Sequence, residues 1–167
     1  MKDLLVPVRY LPYNLAKKDK EKQVSMLLKS RRLYKKKEYY TRKKVDSYEN
    51  KESKHIKNAR EIYKVDKIVP SKELAKATGC SQNALRKIVK KGEGAYFSSG
   101  SRPNQTAHSW GYARLASAIT AGKSAAVDYN ILEKGCDHTK KAFILARKAR
   151  KEYGYGHGKT RKIRVKK

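Results

Sequence analysis

Residues 71–90 read SKELAKATGCSQNALRKIVK, which fits two short helices joined by a tight turn. Ser71 and Ser81 stand where a side-chain hydroxyl caps a helix N-terminus, and Gly79 stands where the first helix must end. Apolar residues recur at a spacing that buries one side of each helix against the other. The stretch therefore predicts a helix-turn-helix-like unit in a mainly α-helical protein.

Two interpretations of this unit stay open. A second helix that enters a major groove would read bases with its first residues and contact phosphates with the lysines that follow. The candidates for these contacts are Gln82, Asn83, Arg86, Lys87, Lys90 and Lys91. A pair of short helices around a glycine turn is also common as a plain packing unit, and the pattern alone favours that interpretation.

Helical periodicity continues on both sides of this unit. The predicted helices upstream cover about Asp19–Lys36 and Lys51–Tyr63, and those downstream cover about Thr106–Ala121 and Asp137–Tyr153. Asp19 and Asp137 are predicted to cap the helices that they begin. We expect a small helical domain with basic, extended N- and C-terminal arms.

Composition predicts three parts along the chain. Residues 1–70 form a basic, partly helical region, residues 71–153 a compact helical domain, and residues 154–167 a basic tail without a core-forming pattern. The two basic parts are the expected electrostatic arms.

The charge indicates the class of partner. The 167 residues include 43 Lys+Arg against 15 Asp+Glu, which gives a net charge of +28. Such a protein repels itself and attracts polyanions, with nucleic acid (double-stranded DNA in particular) first and an anionic membrane surface second. Outside the helix-turn-helix-like unit, the polyanion-binding candidates are Arg31, Arg32, Lys35, Lys36, Lys37, Arg42, Lys43, Lys44, Lys159, Arg161, Lys162 and Arg164.

Three tyrosines are interleaved with the first of these cationic runs. Tyr34, Tyr39 and Tyr40 would stack on bases if the target were single-stranded. The alternative is that their rings simply lie in the core or at its rim, and the sequence favours that alternative.

The sequence predicts no catalytic residue, no cofactor, no metal and no small-molecule substrate. Gly122-Lys123-Ser124 resembles the end of a phosphate-binding loop, but position 117 holds Ser where that motif needs Gly. Cys136 and His138 supply only two ligands, which do not make a zinc site.

Cys80 and Cys136 are too few and too far apart for a disulfide framework, so a reduced intracellular compartment is expected. No apolar run has the length of a signal peptide core or a membrane span.

One near-neutral segment interrupts the basic chain. Residues 94–128 contain three cationic residues and one acid, together with the only tryptophan. The segment is expected to begin as an irregular glycine- and serine-rich loop. Arg102, Trp110 and Arg114 are its candidates for a protein interface, because isolated arginines and a tryptophan make defined contacts.

A set of residues in and beside this segment carries a resemblance: Gly92, Gly94, Ala95, Tyr96, Ser99 to Gln105, Ser109, Trp110, Gly111, Ala113, Arg114, Leu115 and Asp128 to Leu132. With these residues, the chain resembles an uncharacterised family of small basic proteins of large double-stranded DNA viruses of algae and similar hosts. The resemblance implies a viral protein that is packaged in the particle, and it supplies no catalytic residue.

The function expected from these features is that of a non-enzymatic structural protein of a large DNA virus particle, of minor-capsid or internal type. Its neutral segment would dock on other virion proteins, and its basic arms would bind DNA or an internal membrane surface. It would reside in the virion, and in the host cytoplasm or nucleus during assembly. The alternative is a helix-turn-helix DNA-binding regulator or a genome-packaging protein.

Overall fold

The computed structural model describes residues 4–156 and 160–165, and these residues are mainly α-helical, as predicted. A short 3-10 helix, Val8–Tyr10, precedes the first α-helix. The α-helices are α1 (Lys17–Lys35), α2 (Lys54–Tyr63), α3 (Lys72–Thr78), α4 (Gln82–Ser98), α5 (Ala107–Ala118), α6 (Lys123–Val127), α7 (Tyr129–Gly135) and α8 (Lys141–Tyr153), and the strands are β1 (Leu4–Pro7) and β2 (Lys162–Val165).

The chain divides into two compact units. Unit 1 comprises Met1–Lys51, Gly94–Ala107 and Lys159–Lys167, and unit 2 comprises Glu52–Glu93 and His108–Gly158. Helix α4 supplies residues to both units. The units cut across the three parts expected from composition, because residues distant in sequence fold together.

Unit 1 contains both ends of the described chain. β1 pairs with β2 in an antiparallel ladder that runs from Leu4 opposite Val165 to Pro7 opposite Lys162. Val6 is fully buried, whereas Ile163 and Val165 are half-buried. The prediction that the tail lacks a core-forming pattern is therefore wrong for β2, since its alternating apolar residues complete a small sheet.

The core of unit 1 is small. Met26 packs with Leu15 and Val45, and Leu27 on the same helix is fully buried. A Cβ at Gly100 would lie 2.7 Å from Leu27 Cδ2, and the backbone φ there is +127°. Only glycine meets both conditions, so Gly100 allows the loop after α4 to lie directly on α1.

Unit 2 holds the larger apolar core, which includes Leu74, Leu85, Leu115 and Phe143. The predicted helix-turn-helix-like unit is confirmed as α3, a turn and α4. The N–H of Leu74 donates to Ser71 Oγ and that of Ala84 to Ser81 Oγ, each at 3.1 Å. Gly79 ends α3 in the left-handed region, with a φ of 77°.

Helix α4 is longer than the sequence predicts. It continues through Gly92 and Gly94 to Ser98, so the expected irregular loop begins only at Ser99. A Cβ at Gly92 would lie 2.6 Å from Gly111 Cα in α5. Gly92 and Gly111 therefore mark a close crossing of α4 and α5 within unit 2.

The two cysteines form a disulfide, Cys80–Cys136, across 56 residues of sequence. The expectation of unpaired thiols is wrong, because the turn before α4 and the end of α7 pair with each other as a short antiparallel bridge. Backbone hydrogen bonds flank it, from Ser81 N to Gly135 O at 2.7 Å and from Asp137 N to Gly79 O at 2.8 Å. No helix in the described residues is both long enough and apolar enough to cross a membrane.

Candidate nucleic-acid interface

The densest group of cations lies on unit 1, at the end of α1 and in the chain that follows. Residues 29–44 contain nine cationic residues and one acid. Seven of the cationic side chains are exposed and form no ion pair among the residues that the structure describes, and one of these, Lys29, lies over the Tyr40 ring. We call the other six the unit-1 basic surface: Arg32, Lys35, Lys36, Lys37, Lys43 and Lys44.

The local backbone concentrates this charge. After α1, the N–H of Lys37 donates to Tyr34 O at 2.9 Å and that of Glu38 donates to Leu33 O at 3.0 Å. Lys37 has a φ of 60°, in the left-handed region where helices commonly end on glycine. The chain reverses there, so three consecutive lysines stand at the turn with their side chains in solvent.

Arg42, a predicted polyanion-binding residue, does not belong to this surface, because only 6 % of it is exposed. Its guanidinium lies 3.8 Å from the centre of the Tyr96 ring and donates to Ser30 Oγ, Tyr96 O and Ser101 Oγ at 2.8–2.9 Å. Burial lowers its pKa. Arg42 therefore holds α1, the end of α4 and the following loop together.

Arg31 is the second predicted cation with a structural role. Its guanidinium donates twice to Ser99 O, at 2.8 and 2.6 Å, and burial lowers its pKa. The side chain is half-buried, so part of its charge still reaches solvent.

The first part of the neutral segment, at Asn104, also holds the chain that follows the unit-1 basic surface. Asn104 Oδ1 accepts from Val45 N at 2.7 Å, while its amide donates to Val45 O and Tyr48 O at 3.1 and 3.0 Å. Asn104 has a φ of 62°, which asparagine tolerates better than other side chains do. No sequence pattern beyond the loop-forming composition of the segment indicates this role of Asn104, because its partners lie more than 50 residues away.

A second basic surface lies on unit 2. Asn83, Arg86, Lys87 and Lys90 are exposed and follow the i, i+3, i+4, i+7 spacing that places side chains on one face of a helix. Asn83 and Lys87 also line a shallow depression with Asn130 and Lys134 of α7. We call these six residues the α4 surface.

Gln82 is the one predicted base-reading residue that does not join the α4 surface. It is half-buried, and its amide donates to Pro70 O at 3.0 Å. It fixes the chain before α3 against the start of α4.

The three candidates for a protein interface are not brought together in one unit. Arg102 is exposed in unit 1, whereas Trp110 and Arg114 are half-buried in unit 2. Arg114 already has a partner, because it donates to both carboxylate oxygens of Asp128 at 2.8 Å. Their contact with another protein stays a prediction.

The predicted cations of the tail lie on or beside β2. Arg161, Lys162 and Arg164 are exposed, and Arg161 O accepts from Val8 N at 3.0 Å. Lys159 lies outside the described residues. Within the described chain, no group of three His, Cys, Asp or Glu side chains is arranged to hold a metal ion.

Comparison with known proteins places the chain in a family without assigning it an activity. No curated protein matches it, and no solved structure does. A family model matches residues 7–138, which include α1 to α7, the unit-1 basic surface and the α4 surface. The match confirms the expectation of an uncharacterised family: the chain belongs to DUF5824, a family of unknown function.

Proposed function

We propose that the protein is a non-enzymatic structural protein of a large DNA virus particle that binds nucleic acid through the unit-1 basic surface. The observation that carries the binding proposal is the set of six exposed cations within 13 residues that form no ion pair in the described part of the chain. Each lysine or arginine that meets a phosphate releases counterions, which supplies sequence-independent affinity. The virion setting rests on the resemblance of residues 92–132 to the viral family.

Nucleic acid is preferred to an anionic membrane because of the second basic surface. The α4 surface combines cations with the amides of Asn83 and Asn130, and amides pair with base edges as well as with phosphates. A membrane surface would use the charges but offer no bases to the amides.

The binding test compares two charge-removal variants of the full chain. Lys35→Gln/Lys36→Gln/Lys37→Gln removes three cations of the unit-1 basic surface, and Lys17→Gln/Lys18→Gln/Lys20→Gln removes three exposed cations from the first turn of α1. We expect the first variant to lower the slope of log affinity for duplex DNA against log salt by about 2 to 3. The second should change it by less than about 1.

Equal losses in the two variants would indicate diffuse charge and overturn the assignment to this surface. Vesicles with and without anionic lipid provide the second arm. Binding to anionic vesicles without binding to nucleic acid would overturn the nucleic-acid proposal. The virion setting is tested by quantifying the protein in purified particles, where a fixed stoichiometry is expected and absence would contradict it.

A second candidate function is sequence-specific DNA recognition by the α4 surface, which the exposed face of α4 favours. Its test is selection of binding sites from randomised duplexes by the wild type and by Asn83→Ala/Arg86→Ala. A preferred site that the variant loses would support a regulator. No preferred site for the wild type would exclude it.

A further inference from the structure

A cluster of aromatic rings lies in unit 1, and two of them, Tyr34 and Tyr39, flank three lysines of the unit-1 basic surface in the sequence. Tyr39 is 69 % exposed and Tyr34 is 36 % exposed, and their ring centres are 6.2 Å apart. The centre of the Phe97 ring lies 5.2 Å from that of Tyr39. The three rings come from the end of α1, the chain after it and the end of α4, all in unit 1.

Hydrogen bonds on both sides hold this cluster in place. Ser30 Oγ donates to Phe97 O at 3.1 Å, and Arg31 holds Ser99 two residues further on. The left-handed turn at Lys37 brings Tyr39 back beside Tyr34. The rings are therefore positioned by the fold.

The next residue, Tyr40, has a different environment from Tyr39. Tyr40 packs against the small core of Leu15, Met26 and Val45, and the Lys29 ammonium lies 4.4 Å from the centre of its ring. Tyr40 therefore contributes to the core, while Tyr39 faces solvent. The sequence-based preference for core or rim tyrosines is correct for Tyr40 and does not describe Tyr39.

An exposed ring in a segment of the chain that is rich in cations favours one class of nucleic acid. Base faces in a duplex are covered by their neighbours, whereas an unpaired base can stack on an aromatic side chain. In the sequence, Tyr34 and Tyr39 are separated by three lysines and one acid, Lys35, Lys36, Lys37 and Glu38. The three lysines supply positive charge for the phosphates on either side of a stacked base.

We propose that Tyr39, supported by Tyr34 and Phe97, is a stacking platform for a base of single-stranded nucleic acid. This inference rests on the proposed function and adds to it a preference for strands with unpaired bases over duplexes. Phosphate contacts by the three lysines hold the strand, and the ring provides affinity that a duplex cannot gain.

The experiment measures the affinity of the full chain for a short single-stranded oligonucleotide and for a duplex of the same length, both at the same ionic strength. Tyr39→Leu keeps an apolar side chain without a ring. Tyr13→Leu is the matched control, because Tyr13 is 95 % exposed in the same unit and has no ring contact among the described residues. Tyr39→Phe keeps the ring, and circular dichroism checks that each variant is folded.

We expect Tyr39→Leu to weaken single-strand binding by about fivefold or more, with its salt slope unchanged, and to leave duplex binding within about twofold. Tyr13→Leu and Tyr39→Phe should bind single strands like the wild type. The stacking proposal would be overturned if Tyr39→Leu bound single strands as tightly as the wild type does. It would also be overturned if Tyr13→Leu lost as much single-strand affinity as Tyr39→Leu.

The two proposals fail in distinguishable ways. If Lys35→Gln/Lys36→Gln/Lys37→Gln weakens binding to both ligands while Tyr39→Leu weakens neither, stacking is excluded and the nucleic-acid proposal stands. If the wild type binds neither ligand, both proposals fall.

Discussion

Asp128 is the buried charge on which part of unit 2 depends. Only 1 % of it is exposed, and its carboxylate accepts from Arg114 in a two-bond arrangement and from Lys91 Nζ at 3.1 Å. The neutral segment thus uses its single acid to bind α4, α5 and the start of α7. Arg114 is therefore explained by packing before any partner is considered.

We predict that Asp128→Asn lowers the free energy of unfolding by about 3 to 5 kcal/mol, because it leaves the Arg114 guanidinium, whose side chain is 21 % exposed, without its carboxylate. The Lys91 side chain is 50 % exposed and contributes less to this loss. Urea unfolding followed by circular dichroism measures the change. Asp128→Asn/Arg114→Met removes both charges of the bidentate pair and should recover part of the loss. A single variant as stable as the wild type would contradict this role.

Single residues were predictable where their partners are local. Ser71 and Ser81 cap helices as the sequence indicates, because a cap contacts the next turn of its own helix. Asp19 and Asp137 were predicted as caps and are not. The Asp19 carboxylate accepts from Ser47 N, 28 residues away, and the Asp137 carboxylate accepts from Thr139 within a turn.

At the scale of elements, helix α4 shows where sequence patterns reach their limit. Gly92 and Gly94 predict a helix end because glycine lowers helix propensity. The helix nevertheless continues, since Gly92 meets Gly111 at a crossing too close for a side chain on either helix. The sequence does not show that Gly92 and Gly111 meet, so the full length of α4 follows only from tertiary packing.

Substitution of Gly92 and of Gly94 by alanine should change the stability of the protein in opposite directions. Gly92→Ala places a Cβ 2.6 Å from Gly111 Cα and is expected to cost about 1 to 3 kcal/mol of unfolding free energy. Gly94→Ala meets nothing within 4 Å and should stabilise the protein by about 0.5 to 1 kcal/mol. Chemical unfolding of both variants checks the pair. The same sign for both would contradict the close crossing.

The disulfide links the turn before α4 to the end of α7. Because it closes 56 residues of sequence, the chain-entropy model gives a stabilisation of about 4 kcal/mol, and measured values are typically about 2 to 4. We predict that reduction lowers the urea midpoint of the wild type and leaves that of Cys80→Ala/Cys136→Ala unchanged. Two free thiols in the folded protein under oxidising conditions would contradict the pairing.

For the whole molecule, the net charge predicts a polyanionic partner, which stays a prediction, and it cannot show how the charge is displayed. Counts alone make Arg42 and Lys43 equivalent, yet the fold buries the first and exposes the second. The basic ends were predicted as arms, whereas residues 4–51 and the described residues after 159 take part in a folded unit. The unit-1 basic surface depends on helix packing and a left-handed turn, neither of which composition records.

The net charge of +28 also predicts how stability responds to salt. Like charges on a compact protein repel more than those on an expanded chain, so screening favours the folded state. We predict that the free energy of unfolding in urea rises as sodium chloride increases from about 0.05 to about 0.5 M. Affinity for nucleic acid should fall over the same range, because counterion release becomes less favourable.

The charge-removal variants test whether these two salt effects share a cause. Lys35→Gln/Lys36→Gln/Lys37→Gln and Lys17→Gln/Lys18→Gln/Lys20→Gln each remove three positive charges, so both should reduce the salt dependence of stability. Only the first should strongly reduce the salt dependence of binding, because only its lysines belong to the unit-1 basic surface. Stability that stays constant or falls with salt in the wild type would show that self-repulsion does not oppose folding. Nucleic acid would then have no net repulsion to relieve, and its effect on stability would come from binding alone.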